Sequence, residues 1–344
     1  MDQTRREGEE AFFHVLSSND LWKELKKHMY PNVKSSTLAN YVDGDAAILN
    51  GYFCIMKEKR LDYSKESMMN AVTRGDLQML KWLHENTTET CNHEVMDFAA
   101  STGNLEILKW LHENRKEGCT TRAMDFAAMS GDFKTVKWLH ENRKEGCTRG
   151  AMDWAASFGH LDVVKYLHKN RKEGCNTHAM DWATKNGHLG VVKWLHENRT
   201  EGCTQKAMNF ACAGGHLHVV KWLHKNRKEG CNGWAMSAAA GCGHLDVIKW
   251  LHKNRKEGCT TNAMDGAARN GHLNVVKWLH ENRTEGCTGY ALVFAAENGH
   301  IDTAKFLYKN RKEDCNPKYA LDRVRNKGFH VIAGFISEDE MVSE

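Results

Sequence analysis

Apolar and polar residues alternate with a helical period along most of the chain. Around residue 165, the apolar side chains of Val163, Val164 and Leu167 fall on one arc of a helical wheel, whereas Asp162 and Lys165 fall on the opposite arc. One apolar arc with a period of 3.6 residues is typical of a helix that packs on a core through one face. We therefore predict an amphipathic helix here and wherever the pattern returns.

The pattern returns at a fixed interval of 28 residues. The interval is marked by cysteines and by an aromatic residue before a Leu-His pair, and glycine keeps the same spacing from Gly75 to Gly299. The cysteines are Cys91, Cys119, Cys147, Cys175, Cys203, Cys231, Cys259, Cys287 and Cys315. About nine units of one length, without an insertion, indicate a tandem repeat protein.

Each unit is predicted to contain two helices. In the unit 175–202, Asn176 follows the cysteine, and the other units have Thr or Asn there; both residues are good N-caps. A short first helix should end at Gly187. A second helix should run from about Leu189 towards Arg199 before Gly202 stops it, since glycine commonly ends a helix.

The unit "AMDWAASFGHLDVVKYLH", which begins at Ala151, resembles the ankyrin repeat in its paired alanines, Gly-His turn and Val-Val pair. Two features depart from that family. Ala-Met-Asp, as at residues 123–125, replaces Thr-Pro-Leu-His, and the unit is shorter than the usual length of about 33 residues. The missing residues fall between Gly118 and Met124, where ankyrin repeats have a projecting hairpin, so we expect short turns instead.

The resemblance covers about residues 67–328 and implies an all-α fold, a right-handed α-solenoid of stacked helix-turn-helix units. We expect about nine units in residues 67–315 and a C-terminal capping half-repeat with an acidic tail in 316–344. Residues 1–66 do not keep the 28-residue spacing and are expected to form a helical N-terminal cap, which could include a decayed repeat. An F-box-like adaptor segment is the alternative there, although the Leu-Pro opening of that family is missing.

Composition and charge restrict the class of protein. Hydrophobic residues make up 41% and charged residues 27%, which is typical of a folded protein with a core rather than a disordered one. The 48 basic and 44 acidic residues nearly cancel, so the net charge does not by itself imply a polyanion partner. We find no apolar run typical of a signal peptide or a membrane span. The expectation is a monomer with free thiols in the cytoplasm, with the nucleus as the alternative.

Histidines and cysteines recur in register and could suggest metal ligands. Neighbouring helices pack about 8–10 Å apart, whereas zinc needs nitrogen ligands at about 2 Å and a disulfide needs Cα atoms within about 7 Å. We therefore expect no metal site and no disulfide. His168 and its equivalents fall on the apolar arc, where each should hydrogen-bond a backbone carbonyl. Outside this ladder of cysteines, Cys212 and Cys242 are either neutral drift or surface thiols, and the sequence does not decide between these.

An aromatic residue recurs in the first helices and is expected in the core. It is Phe98, Phe126, Trp154, Trp182, Phe210 and Phe294, but Ala238 and Gly266 interrupt the series. Because Gly266 removes a large side chain, we predict a local weak point in that repeat. Its backbone amides should exchange with deuterium faster than those of the neighbouring repeats. Exchange that is no faster would contradict this prediction.

A basic stripe offers an alternative function. Arg-Lys pairs such as Arg115-Lys116 recur at one turn in six of the units and could follow a nucleic-acid backbone. Because Glu113, Glu117 and their equivalents are interleaved, a self-paired solvated face is favoured and nucleic-acid binding is disfavoured. No catalytic motif is present, and any dyad of recurring residues would occur many times. We therefore expect a non-catalytic protein without a cofactor.

Function is expected where the units differ, because the shared residues serve stacking. The most variable positions are those just before the mid-unit glycine and three residues after each cysteine, and in ankyrin relatives such positions line the concave, partner-facing surface. The candidates are Arg122, Met129, Phe158, His178, Lys185, Lys206, Trp234, Arg269, Tyr290 and Glu297. Trp234 and Tyr290 are favoured, followed by Phe158, because aromatic residues are enriched among binding hot spots. The sequence thus predicts a protein-binding scaffold with a protein partner that it does not identify.

Overall fold

The computed structural model describes residues 66–87 and 92–311, together with the single positions 319, 322, 323, 325 and 334. Apart from those positions, the predicted N-terminal cap, the C-terminal half-repeat and the acidic tail lie outside the described residues. Among the described residues, no helix is long and apolar enough to cross a membrane.

The described residues contain 18 helices and no strand, which confirms an all-α fold of helix-turn-helix repeats. The helices follow one another as nine pairs, each made of a first and a second helix. The pairs are α1 (Ser67–Arg74) and α2 (Leu77–Asn86), α3 (His93–Ser101) and α4 (Leu105–Asn114), α5 (Thr121–Ser130) and α6 (Phe133–Asn142), α7 (Arg149–Ser157) and α8 (Leu161–Asn170), α9 (Thr177–Lys185) and α10 (Leu189–Asn198), α11 (Gln205–Ala213) and α12 (Leu217–Asn226), α13 (Gly233–Gly241) and α14 (Leu245–Asn254), α15 (Asn262–Arg269) and α16 (Leu273–Asn282), and α17 (Tyr290–Glu297) and α18 (Ile301–Asn310).

The helices belong to two compact units, residues 1–151 and 152–344. In the first unit, α3 packs between α1 and α5, and each of these first helices packs on its own second helix. In the second unit, α9, α11, α13, α15 and α17 pack one on the next in the same way. Within each unit, the first helices therefore carry most of the stacking.

The predicted apolar arcs form the core of each unit. In the pair α9 and α10, the core side chains are Ala179, Met180, Ala183, Val191, Val192 and Leu195, each at most 2% exposed. Small alanines on the first helix allow the next first helix to approach closely, while the branched residues of the second helix fill the space behind. This pattern confirms the one-sided burial that the periodicity predicts.

The predicted N-caps are present on α3, α5, α9, α11 and α13, whereas α15 and α17 begin one residue later than predicted. The second helix α10 ends close to the predicted Arg199, but Gly202 is not what ends it. The Asn176 side chain accepts the His178 backbone N–H at 2.7 Å. At the other end of the unit, Asn198 is the last helical residue and its side chain donates to the Trp194 carbonyl at 2.8 Å. Gly202 lies beyond the helix, in the turn, with a φ of +72°. Glycine at 202 is thus needed by the turn rather than to stop the helix.

The connections between repeats are short, as the reduced unit length predicts. After α4, residues 115–120 lead directly into α5, and no hairpin is formed.

Candidate functional site

The recurring string between a second helix and the next repeat is filled with contacts to the preceding repeat. Arg143 Nη1 lies 3.2 Å from His112 Nδ1, and Arg143 Nη2 forms an ion pair with Glu145. Because a guanidinium can only donate, His112 Nδ1 accepts and its proton lies on Nε2. The expectation that these histidines bond to a backbone carbonyl is therefore wrong, and the arginine of the following repeat is the partner.

The same arrangement recurs through both units. The other Arg–His pairs are Arg115–His84, Arg199–His168, Arg227–His196, Arg255–His224, Arg283–His252 and Arg311–His280, with N–N distances of 2.9–3.4 Å. These histidines are half-buried or exposed rather than part of the core. The helical wheel placed them on the apolar arc because they lie at its edge.

The aromatic residue of the second helix packs on the same histidine. The His112 ring meets Trp138 edge-on at 5.2 Å between centroids, with an interplanar angle of 85°. The Arg143 guanidinium also lies over Gly118, whose φ is +68°, and a Cβ at Gly118 would lie only 2.6 Å from Nη2. We call this set of contacts between neighbouring repeats the clamp; it consists of Trp138, His112, Arg143 and Gly118.

These contacts engage the arginines of the basic stripe. The arginines that pair with the glutamate two residues later have side chains only 15–23% exposed. The hydrogen bond from Arg283 lowers the pKa of Glu285 to about 2, against the opposing effect of burial. The lysine that follows such an arginine, as at Lys116 and Lys144, remains exposed. The arginine half of the stripe is thus engaged within the protein.

A second set of contacts, which the repeat pattern alone does not predict, involves a buried carboxylate in the first helix. Asp181 is 1% exposed and accepts the Thr204 N–H at 2.8 Å and the Thr204 hydroxyl at 2.7 Å. The equivalent contacts are Asp97–Thr120, Asp125–Thr148, Asp153–Asn176, Asn209–Asn232, Ser237–Thr260 and Asp265–Thr288. A polar residue at this position, usually an aspartate, therefore ties most of the described first helices to the Thr or Asn that follows the cysteine of the next repeat.

Asp153 differs from the other aspartates because its partner is an asparagine. It accepts the Asn176 N–H at 3.0 Å, and asparagine offers no hydroxyl at this position. Burial raises the pKa of Asp153 to about 6, although the backbone hydrogen bond acts in the opposite direction. Ionisation of Asp153 is therefore opposed in the folded state.

The raised pKa predicts a pH dependence of stability. A folded pKa of about 6, against about 3.9 in the unfolded chain, means that the folded protein binds more protons in this window. Asp153 therefore lowers the free energy of unfolding as the pH rises from about 4 to about 6. Asp153→Asn should remove this pH dependence. The free energy of unfolding of the variant, relative to that of wild type, should therefore rise by about 2 kcal/mol between pH 4 and pH 7. Urea unfolding of both proteins at pH 4 and pH 7 measures this change. The prediction would be contradicted if variant and wild type differed in stability by the same amount at both pH values. The native Asn209–Asn232 pair shows that a neutral pair fits.

The structure resolves the question of the two cysteines outside the ladder. Cys212 is fully buried, whereas Cys242 is exposed. No described cysteine forms a disulfide. Burial raises the pKa of Cys175 and Cys203 to about 12, with Glu201 and Glu229 adding to the effect.

These differences predict selective thiol chemistry. Because the thiolate is the reactive form, iodoacetamide at pH 7.4 should modify Cys242 at least about tenfold faster than Cys175 or Cys212. Peptide-level mass spectrometry over a time course measures the rates at each cysteine. Cys242→Ser should remove the fast reaction at that peptide and leave the others unchanged. Equal rates of modification at Cys175 and Cys242 would contradict this prediction, because they would show that the buried Cys175 is as accessible to the reagent as the exposed Cys242.

All ten candidate partner-binding residues lie on first helices or at their ends. The large exposed apolar side chains among them are Phe158, Trp234 and Tyr290, at 52%, 49% and 56% exposure. Arg122, His178, Lys185, Lys206 and Arg269 are exposed as well, whereas Met129 and Glu297 are half-buried. The Phe158 ring stacks on His160, whereas Glu297 forms an ion pair with Arg323.

Three of these candidates line two hollows on the first helices of the second unit. The Ala238 hollow, about 450 Å³, is lined by Ala213, Trp234, Ser237, Ala238, Gly241, Cys242, Thr260, Asn262 and Asn270. The Gly266 hollow, about 380 Å³, is lined by Asn262, Asp265, Gly266, Arg269, Thr288, Tyr290 and Phe294. Asn262 lines both, so the hollows adjoin. The structure thus brings Trp234, Arg269 and Tyr290 to one continuous surface, while Lys206 lies in the preceding first helix.

The hollows lie where the aromatic series is interrupted. The aromatic residues of the series are half-buried, so the expectation that they belong to the core is wrong. They lie on the outward side of the first helices, and their loss at Ala238 and Gly266 leaves surface hollows. A Cβ at Gly266 would lie 3.3 Å from the Gly241 Cα, so α13 and α15 approach each other closely there. The faster hydrogen exchange expected in this repeat stays a prediction.

Titratable groups do not gather as metal ligands in the described part of the chain. Within residues 66–87 and 92–311, no three His, Cys, Asp or Glu side chains are placed to hold a metal ion.

Comparison with known protein families agrees with the helical pairs. Family models of ankyrin repeats in many copies match residues 68–112, 96–140, 124–168 and 152–196. A family model of three ankyrin repeats matches residues 180–265 and 253–319. The matched ranges together run from residue 68 to residue 319, which is more than two thirds of the chain. A search of curated proteins found no match.

Proposed function

Because the chain belongs to the ankyrin repeat family, we propose that it is a non-catalytic scaffold that binds a protein partner. Ankyrin repeats generally mediate protein–protein interaction. The binding surface in this proposal is the exposed side of the first helices, which corresponds to the concave surface in the family. The residues assigned to it are the ten variable candidates, of which Trp234 and Tyr290 are favoured.

One observation carries the proposal: large aromatic side chains are exposed where the repeats differ. Trp234 and Tyr290 are about half exposed, although burial of such side chains is favourable by about 25 cal/mol per Å² of apolar area. Aromatic residues that remain exposed on a rigid scaffold are common anchors in protein interfaces. Most of the recurring apolar residues, in contrast, lie in the core, and recurring arginines and histidines contact one another in the clamp.

The rigidity of the scaffold supports the same function. The first helices are held by buried Asp–Thr contacts such as Asp181–Thr204, so the surface they present is formed before a partner binds. Preformed surfaces lose less conformational entropy on binding. No catalytic role is needed to account for the arrangement of these residues.

The alternative, polyanion binding through the Arg-Lys stripe, receives less support. The arginines of the stripe form ion pairs with glutamates and contact histidines, as Arg227 does with Glu229 and His196. Only the lysines would remain to contact phosphate. Binding that falls steeply with rising salt would favour this alternative.

Affinity capture from a cell extract, followed by measurement of the affinity of each captured protein, tests the proposal. The variant Trp234→Ala with Tyr290→Ala should lower the affinity for a specific partner at least about a hundredfold, since hot-spot residues contribute about 2 kcal/mol or more each. The control is Lys165→Ala with Lys221→Ala, which changes two exposed residues of second helices and should leave the affinity unchanged. If every specific partner binds the Trp234 and Tyr290 variant as tightly as wild type, the proposed surface is wrong.

A further inference from the structure

The two adjoining hollows, together called the gap, show how this surface differs from the other first helices. At the position where six first helices hold an aromatic residue, α13 holds Ala238 and α15 holds Gly266. The loss of two neighbouring aromatic side chains opens the Ala238 and Gly266 hollows. The missing aromatic residues define the shape of what the gap can accept: a large, flat, apolar side chain.

The aromatic side chains around the gap are held in place by their neighbours. Trp234 meets Phe210 edge-on at 6.2 Å between ring centroids. Tyr290 stacks on Phe294 at 5.6 Å. These contacts restrict the side-chain rotations of Trp234 and Tyr290, so that an aromatic guest would meet preformed aromatic walls.

The charges around the gap are unbalanced. The exposed cations on the first helices of the second unit are Lys185, Lys206 and Arg269. The aspartates of the same helices, Asp153, Asp181 and Asp265, are buried and hydrogen-bonded to the next repeat. Glu297 is ion-paired with Arg323. The described first helices of this unit therefore present a positive surface around the gap.

Arg269 is placed to add specificity to this positive charge. It lines the Gly266 hollow, and its guanidinium carbon lies 3.8 Å from the centroid of the Phe294 ring. Stacking on a ring fixes the plane of the guanidinium and leaves its N–H groups at the edge, where they can donate to a carboxylate in pairs.

We propose that the gap binds an aromatic side chain from an acidic peptide segment of the protein partner, and that a neighbouring carboxylate of this segment binds Arg269. This inference rests on the proposed function, because it assigns a class of partner to the proposed surface. An aromatic ring fills the space left at Ala238 and Gly266, while the acidic flanks match Lys206 and Arg269.

The probe is a fluorescent peptide with one phenylalanine flanked on each side by two glutamates, titrated against the full chain by anisotropy. Two matched peptides replace the phenylalanine by alanine or the glutamates by glutamines. We expect the probe to bind at least tenfold more tightly than either matched peptide. No binding of the probe, or equal binding of all three peptides, would overturn the inference.

Variants of the chain locate the binding. Ala238→Phe restores an aromatic residue at a position where Phe210 and Trp182 occur, so the fold should accept it while the hollow is filled. Probe affinity should fall at least tenfold, with an unchanged urea midpoint. Arg269→Gln should weaken the probe about tenfold but leave the glutamine peptide unaffected. The control Lys221→Gln removes an exposed charge from a second helix. If Lys221→Gln weakens the probe as much as Arg269→Gln does, binding is non-specific attraction and the inference fails.

A further arm tests whether the acidic C-terminal segment of the chain itself occupies the gap. A variant with Glu338→Gln, Asp339→Asn and Glu340→Gln should bind the probe as wild type does. Tenfold tighter binding would show that the chain's own tail competes for the gap, which overturns the assignment to a partner.

Failure of this inference is distinguishable from failure of the proposed function. If the probe does not bind, but Trp234→Ala with Tyr290→Ala abolishes capture of a partner, only the class of partner is wrong. If capture is unaffected by these changes, the proposed surface itself is wrong.

Discussion

Replacement of Asp181 by valine is expected to lower the free energy of unfolding by about 3 kcal/mol, because it leaves the backbone N–H and the hydroxyl of the half-buried Thr204 without their acceptor. The Asp181 carboxylate accepts both the backbone N–H and the hydroxyl of Thr204, at 2.8 and 2.7 Å. Valine fits the site sterically, since Val293 occupies the equivalent position and is 2% exposed. The loss should therefore reflect the hydrogen bonds rather than a clash. Urea denaturation followed by circular dichroism measures it.

A surface aspartate provides the control. Asp246 is exposed in the first turn of α14, and Asp246→Ala should cost no more than about 0.5 kcal/mol through the helix dipole. Asp181→Asn should fall between the two, because an amide oxygen can still accept from Thr204. If Asp181→Val costs as little as Asp246→Ala, the buried aspartates do not hold neighbouring repeats together.

Gly187→Ala is expected to destabilise the protein by about 2 kcal/mol, because an L-residue at positive φ is strained. The φ of Gly187 is +78°, and a Cβ would lie 2.7 Å from His216 Nδ1 in the next repeat. The histidine would have to move, and with it the hydrogen bond between His216 Nε2 and the Lys185 carbonyl, which is 3.0 Å long. Differential scanning calorimetry or urea denaturation measures the loss.

Gly190, three residues further along, is a matched control within the same pair of helices. It lies in α10, and a Cβ there meets nothing within 4 Å. Gly190→Ala should therefore stabilise the protein by about 0.5 kcal/mol, since alanine loses less conformational entropy in a helix. Opposite signs for the two substitutions would support the assigned turn. A loss at Gly190 as large as that at Gly187 would contradict it.

The fold is largely predictable from the sequence because the repeat is unusually regular. The spacing of the cysteines gives the unit length, and the apolar period around Val163, Val164 and Leu167 gives the buried face of the second helix. The caps follow from local chemistry, as at Asn176. Local and repetitive features determine these elements, and no long-range information is needed to place them.

Contacts between repeats could not be predicted in the same way. The Arg143–His112 contact joins residues 31 positions apart, and the Asp181–Thr204 contact joins residues 23 positions apart. Nothing in either residue alone indicates its partner. The helical wheel placed the histidines on the apolar arc and could not show that an arginine from the next repeat reaches them.

The candidate surface was predictable in part. Variation among repeats identifies Trp234 and Tyr290, and the structure places both in exposed positions. The interruption at Ala238 and Gly266 was visible in the sequence, but it indicated a weak point in a core. Because the aromatic series lies on the outward side of the first helices, the same interruption produces surface hollows. Only the three-dimensional arrangement distinguishes these two consequences.

Hydroxyl-radical footprinting of the chain with a captured partner tests most directly whether the first helices form the binding surface. Oxidation of Trp234 and Tyr290, read by peptide mass spectrometry, should fall at least about fivefold on binding, as expected for hot-spot side chains that lose contact with water. Oxidation of Trp222, Trp250 and Trp278 on the second helices, which are half-buried in the free chain, should stay unchanged. Protection of these second-helix tryptophans, with Trp234 and Tyr290 oxidised as before, would contradict the account.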